Sequence, residues 1–199
     1  MMEALELIKT RRSTRQFQDR AVERASLDQI IEAGRYAPSG GNSQTTHFFV
    51  ITDKKVLDEL ARLVKGEFSK MEVTPGMYRS MAGAINASKG EKYVFHYDAP
   101  VLIVTANKVD YGNNMADCAC ALENMMLMAN ALDFGSCWIN QLRWLNENDA
   151  VNAYFRDLGL AEDERIYGAV SIGYADTEDD MPSRSPLPRT GNPVTVIGE

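Results

Sequence analysis

The stretch "RRSTRQF", Arg11 to Phe17, sets three arginines and two hydroxyl residues within seven positions of a chain whose formal net charge is −7. Before it, "MEALELIK" has the spacing of a short amphipathic helix. If the stretch continues that helix, Arg11 and Arg15 share a face at i and i+4. If it is extended, Arg11, Ser13 and Arg15 share a face at period two. In both cases two guanidinium groups converge on one point, and extension adds a hydroxyl. Planar paired donors in that arrangement match the oxygens of a single phosphate. The ordinary alternatives are a solvated basic face and a basic address for nucleic acid.

Working outward, composition narrows the choice. A pI near 5.0 lacks the positive field that broad nucleic-acid or anionic-membrane binding needs, so neither partner is expected. No apolar run reaches the ~18–20 residues of a membrane span. The N-terminus has no apolar signal core, and a cytoplasmic protein is expected. With 199 residues the chain is long enough for one domain, 1–199, with a sizeable core. Cys118 and Cys120 stand two apart in a helical pattern and point to different faces, and Cys137 sits in a strand-like run. Without a C-x-x-C, and with His47 and His96 each alone, the cysteines read as buried free thiols and no metal site is expected.

The remaining pattern alternates helices and strands without a linker. "SLDQIIEAGRYAP" reads as a helix with Ser26 as N-cap, Gln29 as capping-box partner and Pro38 as stop. "THFFVIT", "APVLIVTA", "GSCWINQ" and "RIYGAVSIGYA" read as strands. "KKVLDELARLV" and "NENDAVNAYFRDLG" read as helices, the second ended by Gly159. Residues 66–97 have weak periodicity and are expected to form a partly helical, mobile excursion, a variable lid. The helix from Met115 to Leu132 is apolar nearly all round, with Met115, Met125, Met126 and Met128 on several faces. That surplus of apolar surface, and the β-prone "VTVI" at the end of a C-terminal arm (182–199), favour a dimer over a monomer.

"APSGGNSQ", Ala37 to Gln44, is the second stretch with chemical content. Pro38 closes a helix, and Ser39, Gly40 and Gly41 make a loop of little bulk that lets backbone approach a flat ligand. Asn42 and Gln44 add amides that donate and accept. An ordinary helix-to-strand turn is the competing reading. The loop is neither a P-loop nor a dinucleotide fingerprint, since it lacks both G-K-[ST] and G-x-G-x-x-G.

Taken in order, "RRSTRQF", "APSGGNSQ", "YDAPVLIVTAN", "DCACALENMMLMANALDFGSCWI" and "GAVSIGYADTEDDMPSRSPLPRTGNPV" resemble the FMN-dependent nitroreductase superfamily over essentially the whole chain. The resemblance implies an α+β fold: a central, mostly antiparallel sheet flanked by helices, in a homodimer with C-terminal arm exchange. It implies that Arg11, Arg12, Ser13 and Arg15 hold the FMN phosphate and ribityl chain. Pro38, Ser39, Gly40, Asn42 and Gln44 would lie along the flavin. Trp138, Ile139 and Asn140 would bring backbone to its reactive edge, and Arg189, with Arg184 second, would complete the phosphate site. The chain departs from the "Q-P-W" of larger relatives at Gln44-Thr45-Thr46. The activity implied is reduction of a nitroaromatic, quinone or related small-molecule electron acceptor with NADH or NADPH, by ping-pong kinetics. A specialised superfamily activity (dehalogenation, flavin fragmentation, heterocycle dehydrogenation) and a non-catalytic FMN store are the alternatives. The sequence has no Ser-His-Asp or Cys-His constellation, and a flavin enzyme needs none, because the cofactor carries the chemistry.

Overall fold

The apolar runs become strands His47–Ile51 (β1), Val101–Lys108 (β2), Gly135–Ile139 (β3) and Glu164–Gly173 (β4). They form one sheet in the order β1-β2-β4-β3, every neighbouring pair antiparallel. This computed structural model describes residues 3–198. The two central strands are buried almost throughout because both faces of the sheet are covered. Alternation at period two divides the core. Leu102, Val104, Ala106 and Ile139 face a cluster with Leu60, Val64 and Phe155, whereas Val101, Ile103 and Val170 face one with Ile30, Leu122 and Met125.

Helices supply both covers. On the first face lie Lys54–Ser69 (α3), Arg79–Ser88 (α4), the single turn Gln141–Trp144 (α6) and Asp149–Asp157 (α7). Asp53 caps α3 by accepting from the Lys55 amide at 2.8 Å, and Asn148 caps α7 by accepting from the Val151 amide at 3.0 Å. Gly159, at φ 108°, turns the chain out of α7 as expected. On the second face lie Arg24–Arg35 (α2) and the long Asn114–Ala131 (α5), with the short Ala4–Thr10 (α1) beyond them. α5 comes down on β4 at Gly168, where a Cβ would stand 2.6 Å from Leu122 Cδ1. It meets α2 at Gly34, where a Cβ would stand 2.8 Å from Met125 Cγ.

Several expectations need correction. Glu23, not Ser26, is the N-cap residue of α2; its carbonyl already accepts from the Ser26 and Leu27 amides, so Ser26 lies in the first turn. Residues 66–97 do not stand off the body as a lid: Phe68, Ile85 and Phe95 are fully buried in the first core. Met125 and Met126 are covered within the chain, leaving Met115 as the exposed one of the α5 methionines, so the surplus apolar surface argued for that helix is largely absent. Cys118 and Cys137 are buried but Cys120 is exposed. The "VTVI" segment forms no strand, and Val194, Val196 and Ile197 are exposed.

The contacts at glycine give two mutations of opposite sign. Gly168→Val drives a branched side chain into Leu122 and should lower stability by about 1–3 kcal/mol. Gly66, inside α3, has nothing within 4 Å of its Cβ position. Gly66→Ala should therefore stabilise by about 0.5–1 kcal/mol. Urea denaturation of both variants checks the pair; equal effects would contradict the packing described.

Candidate functional site

The opening stretch is extended. α1 stops at Thr10, and Arg11 turns out of the helix at φ −58°, ψ 126°. Ser13 then pairs in parallel with Ser136 on the outer edge of β3, and the Thr14 amide donates to the Ser136 carbonyl at 2.9 Å. Phe17 bridges Ala175 beyond the end of β4. The approach depends on Gly135, because a Cβ there would sit 2.7 Å from Cβ, Cγ2 and Oγ1 of Thr14. Any side chain at 135 would push residues 13–15 off the sheet edge.

This run gathers the arginines. The Arg15 guanidinium lies 5.9 Å from the centre of the Tyr97 ring. Beneath, burial pushes the Cys137 thiol up, opposed by Arg15, Ser13 and Arg11, all close enough to pull it down. Arg12 donates to the Lys9 carbonyl, yet its buried Nε has no hydrogen-bond partner. Loss of solvent, then the like charges of Arg189 and Arg11, lower the Arg12 pKa from its ordinary value. Three guanidinium groups of like sign, one with a buried unpartnered donor, make an anion-binding arrangement. Arg189 therefore joins the N-terminal cluster. Arg184 does not: it donates to the Asn130 carbonyl at 2.5 Å and pairs with Asp133, tying the C-terminal arm to the end of α5.

The glycine loop is built on a different side. Gly40–Asn42 forms a single 3-10 turn, with Gly41, Asn42 and Gln44 all left-handed at φ 60°, 56° and 51°. Its anchor is Asp117, a nearly buried carboxylate in the first turn of α5, which accepts from the Gly40 amide at 3.3 Å. The Tyr111 hydroxyl stands 2.8 Å from Asp117 Oδ2 and accepts from the Ser43 hydroxyl at 2.9 Å. At Gly40 a Cβ would lie 2.1 Å from Asn113 Nδ2 and 2.6 Å from the Tyr111 hydroxyl, so a side chain there would have to displace the ends of both. Pro38, Ser39, Asn42 and Gln44 line a groove of about 450 Å³ that also reaches Phe48 and Ala121.

At the end of β3 the three predicted residues divide. Ile139 is buried in the first core, so only its backbone is available. Trp138 packs on the other face and donates from Nε1 to Asn140 Oδ1 at 2.8 Å, which engages the Asn140 side chain. Next to them, Gln141 donates to the Tyr93 hydroxyl at 3.1 Å. Cys118 offers no nucleophile: burial pushes its thiol up to about 12.

α5 separates the two halves of the site. Asp117 and Ala121 face the loop and groove, while Glu123 stands 4.0 Å from Arg11 and Asn130 donates to the Leu7 carbonyl at 3.1 Å. At roughly 100° per residue, these two pairs lie about 120–180° apart around the helix. The chain thus sets Arg11, Ser13 and Arg15 about Cys137 beside β3 with Arg12 turned towards Arg189, and holds Pro38, Ser39, Gly40, Asn42 and Gln44 on the other side. Sequence reasoning missed Gly135, Thr14, Tyr97, Tyr111 and Asp117. Asp117 carried a signal, as one of only two carboxylates, with Glu123, in an otherwise largely apolar helical run.

A family model described as the nitroreductase family matches residues 8–174. A solved nitroreductase with bound FMN from Bacteroides fragilis is 34% identical, with a TM-score of 0.84 over 98% of this chain and 100% of that one. A protein of Archaeoglobus fulgidus, provisionally named an NADH dehydrogenase/NAD(P)H nitroreductase, is 29% identical over 91% of this chain and 90% of its own. A nitrobenzene nitroreductase of Ectopseudomonas oleovorans is 25% identical, covering 86% of each chain. The chain belongs to the nitroreductase family.

Proposed function

We propose that this protein is an FMN-dependent NAD(P)H oxidoreductase that reduces a nitroaromatic, quinone or related acceptor. The observation that carries the reading is the convergence of Arg11, Arg12 and Arg189, with a buried Arg12 Nε that has no acceptor. A phosphate monoester supplies the missing acceptor and neutralises the like charges, so these residues fit FMN. The bound FMN of the Bacteroides fragilis relative supports the assignment.

When bound, FMN supplies the hydride-accepting and electron-donating chemistry. The protein's part is to bind and orient. Arg11, Arg12 and Arg189 hold the phosphate, and Ser13 and Arg15, pinned to β3 through Thr14, fix the rest of the chain relative to the sheet. Backbone at Trp138, Ile139 and Asn140, next along the same strand, would serve the reactive edge of the flavin. The loop Pro38–Gln44, locked by Asp117, would wall the ring from a second copy. That a homodimer completes each site is supported by the two halves lying on different sides of α5. NAD(P)H and the acceptor then use one open face in turn, as ping-pong kinetics require.

The purified protein should bind FMN and be reduced by NADH or NADPH in stopped flow; a protein that binds flavin but is reduced by neither would be a store, not an enzyme. Initial rates at several fixed acceptor concentrations should give parallel double-reciprocal lines. Arg15→Ala and Gly135→Ala should each weaken FMN binding about 10- to 100-fold, the first by losing a charged donor and the second by displacing residues 13–15. Arg24→Ala, at the exposed start of α2 where it pairs with Asp28, is the control and should leave the affinity unchanged. Were Arg24→Ala as damaging as Arg15→Ala, the phosphate assignment would be wrong.

The C-terminal arm gives a separate test. Arg189→Ala removes only a charge, so FMN affinity should fall while sedimentation still reports a dimer. Deletion of everything after Pro188 also removes the "VTVI" segment, and should weaken dimer and flavin binding together. A truncated chain that stays dimeric with wild-type affinity would show that the arm contributes to neither.

A further inference from the structure

The segment from Tyr93 to Tyr97 is held at both ends by residues beside β3. At one end Gln141, which follows Asn140, donates from Nε2 to the Tyr93 hydroxyl at 3.1 Å. At the other the Arg15 guanidinium lies over the Tyr97 ring, 5.9 Å from its centre. Between them Phe95 is buried in the first core, so the segment is a fixed wall. The Tyr97 amide donates to the Val94 carbonyl at 3.1 Å, and Tyr97 and Asp98 take consecutive left-handed conformations, φ 60° and 56°. Strain at two adjacent non-glycine residues persists only where the surroundings over-determine it. Here it keeps Tyr97 at Arg15 while Tyr93 stays at the end of β3.

Tyr93 is half-buried, so its side chain keeps some access to solvent. A phenol has one proton to give and an oxygen that accepts. Gln141 fills the accepting side, and among the described residues none accepts the Tyr93 proton. Burial pushes the phenol pKa up, with Gln141 opposing and Tyr97 adding to the rise, so the hydroxyl keeps its proton at neutral pH. The neighbouring side chains on β3 offer no equal. Ile139 is apolar and buried, and Trp138 Nε1 is spent on Asn140 Oδ1 at 2.8 Å. A neutral donor with a proton to spare matches an uncharged oxygen that carries lone pairs and no proton. Carbonyl and nitro groups present such an oxygen.

We propose that Tyr93 is a specificity-determining residue of this site: its O–H, positioned by Gln141, donates to a carbonyl or nitro oxygen of the electron acceptor. The inference rests on the flavin reading, because it takes the end of β3 as the side on which the acceptor binds.

Tyr93→Phe keeps the ring and loses only the hydroxyl, so its affinity for FMN should equal that of the parent chain. Acetophenone and ethylbenzene are alike in shape, and only the first has an oxygen. The visible absorbance of bound, oxidised FMN reports the binding of each. Acetophenone should bind the parent chain more tightly than ethylbenzene does. Tyr93→Phe should weaken acetophenone about 3- to 10-fold, the range of a neutral hydrogen bond, and leave ethylbenzene unchanged. Gln141→Leu should act in the same sense by less, and carries the test alone should Tyr93→Phe fail to fold. Equal losses for the two ligands would overturn the proposal by reducing Tyr93 to a packing role. So would an unchanged affinity for acetophenone in the variants, or a parent chain that does not prefer it. A parent chain that takes up no FMN would overturn the flavin reading and this proposal with it, whereas uptake of FMN without the selective loss overturns the Tyr93 assignment alone.

Discussion

The close packing of α5 between the sheet and α2 is the constraint from which the rest of the molecule follows. Two glycines make it possible: Gly168 lets Leu122 touch β4, and Gly34 lets Met125 fit under α2. Because α5 is buried along most of its length, its polar residues are few and each has an assignment. Asp117 holds the Gly40 turn, Asn124 donates to the Ala33 carbonyl at 3.0 Å, and Asn130 holds the end of α1. The helix is therefore a beam with fixtures on different sides. One side positions the glycine loop, the other the start of the arginine stretch, and a rigid element between them fixes both relative to the sheet.

The second element of precision is the outer edge of β3. An exposed edge strand invites pairing with whatever extended chain is nearby. Here the partner is internal: residues 13 and 14 take the edge at Ser136, and the bare Gly135 admits Thr14. The arginine stretch thus serves as edge protection. The pairing also accounts for the spacing of the arginines. In an extended run Arg11, Ser13 and Arg15 alternate with Arg12 and Thr14. The first set gathers about Cys137, and Arg12 turns to Arg189. A helical continuation would have brought Arg11 and Arg15 together and left Ser13 on another face.

How much of this could be read from the sequence depended on the range of the forces involved. The two central strands were legible because burial on both faces leaves nearly uninterrupted apolar runs, and Gly159 was legible as a stop because a left-handed turn has few alternatives. The conformation of Arg11–Phe17 was not, since helix and strand both converge its arginines and only the distant Ser136 decides between them. Ser26 was a plausible cap, but the helix gains a further turn and passes the role to Glu23. The weak periodicity of residues 66–97 concealed that Phe68, Ile85 and Phe95, well separated in sequence, meet in one core. Arg184 and Arg189 differ by five positions on an arm without secondary structure. Which of them faces Arg12 rests on Asp133 capturing the first, a tertiary contact invisible from spacing.

On the proposed function, the arginine cluster would also explain why an acidic protein carries a basic stretch at all. With a net charge of −7, the surface as a whole repels a phosphate, so local charge must overcome the global field. Gathering Arg11, Arg12 and Arg189 does so, at the cost of like-charge repulsion and a stranded donor in the unliganded chain. Such repulsion can persist only where the backbone over-determines it, and here it does: Arg11 is fixed by the end of α1, Arg12 by the Lys9 carbonyl, and the following residues by β3. Relief of that strain adds to the binding of an anion and to the stability of the folded chain alike, because a ligand that binds only the native state draws the equilibrium towards it.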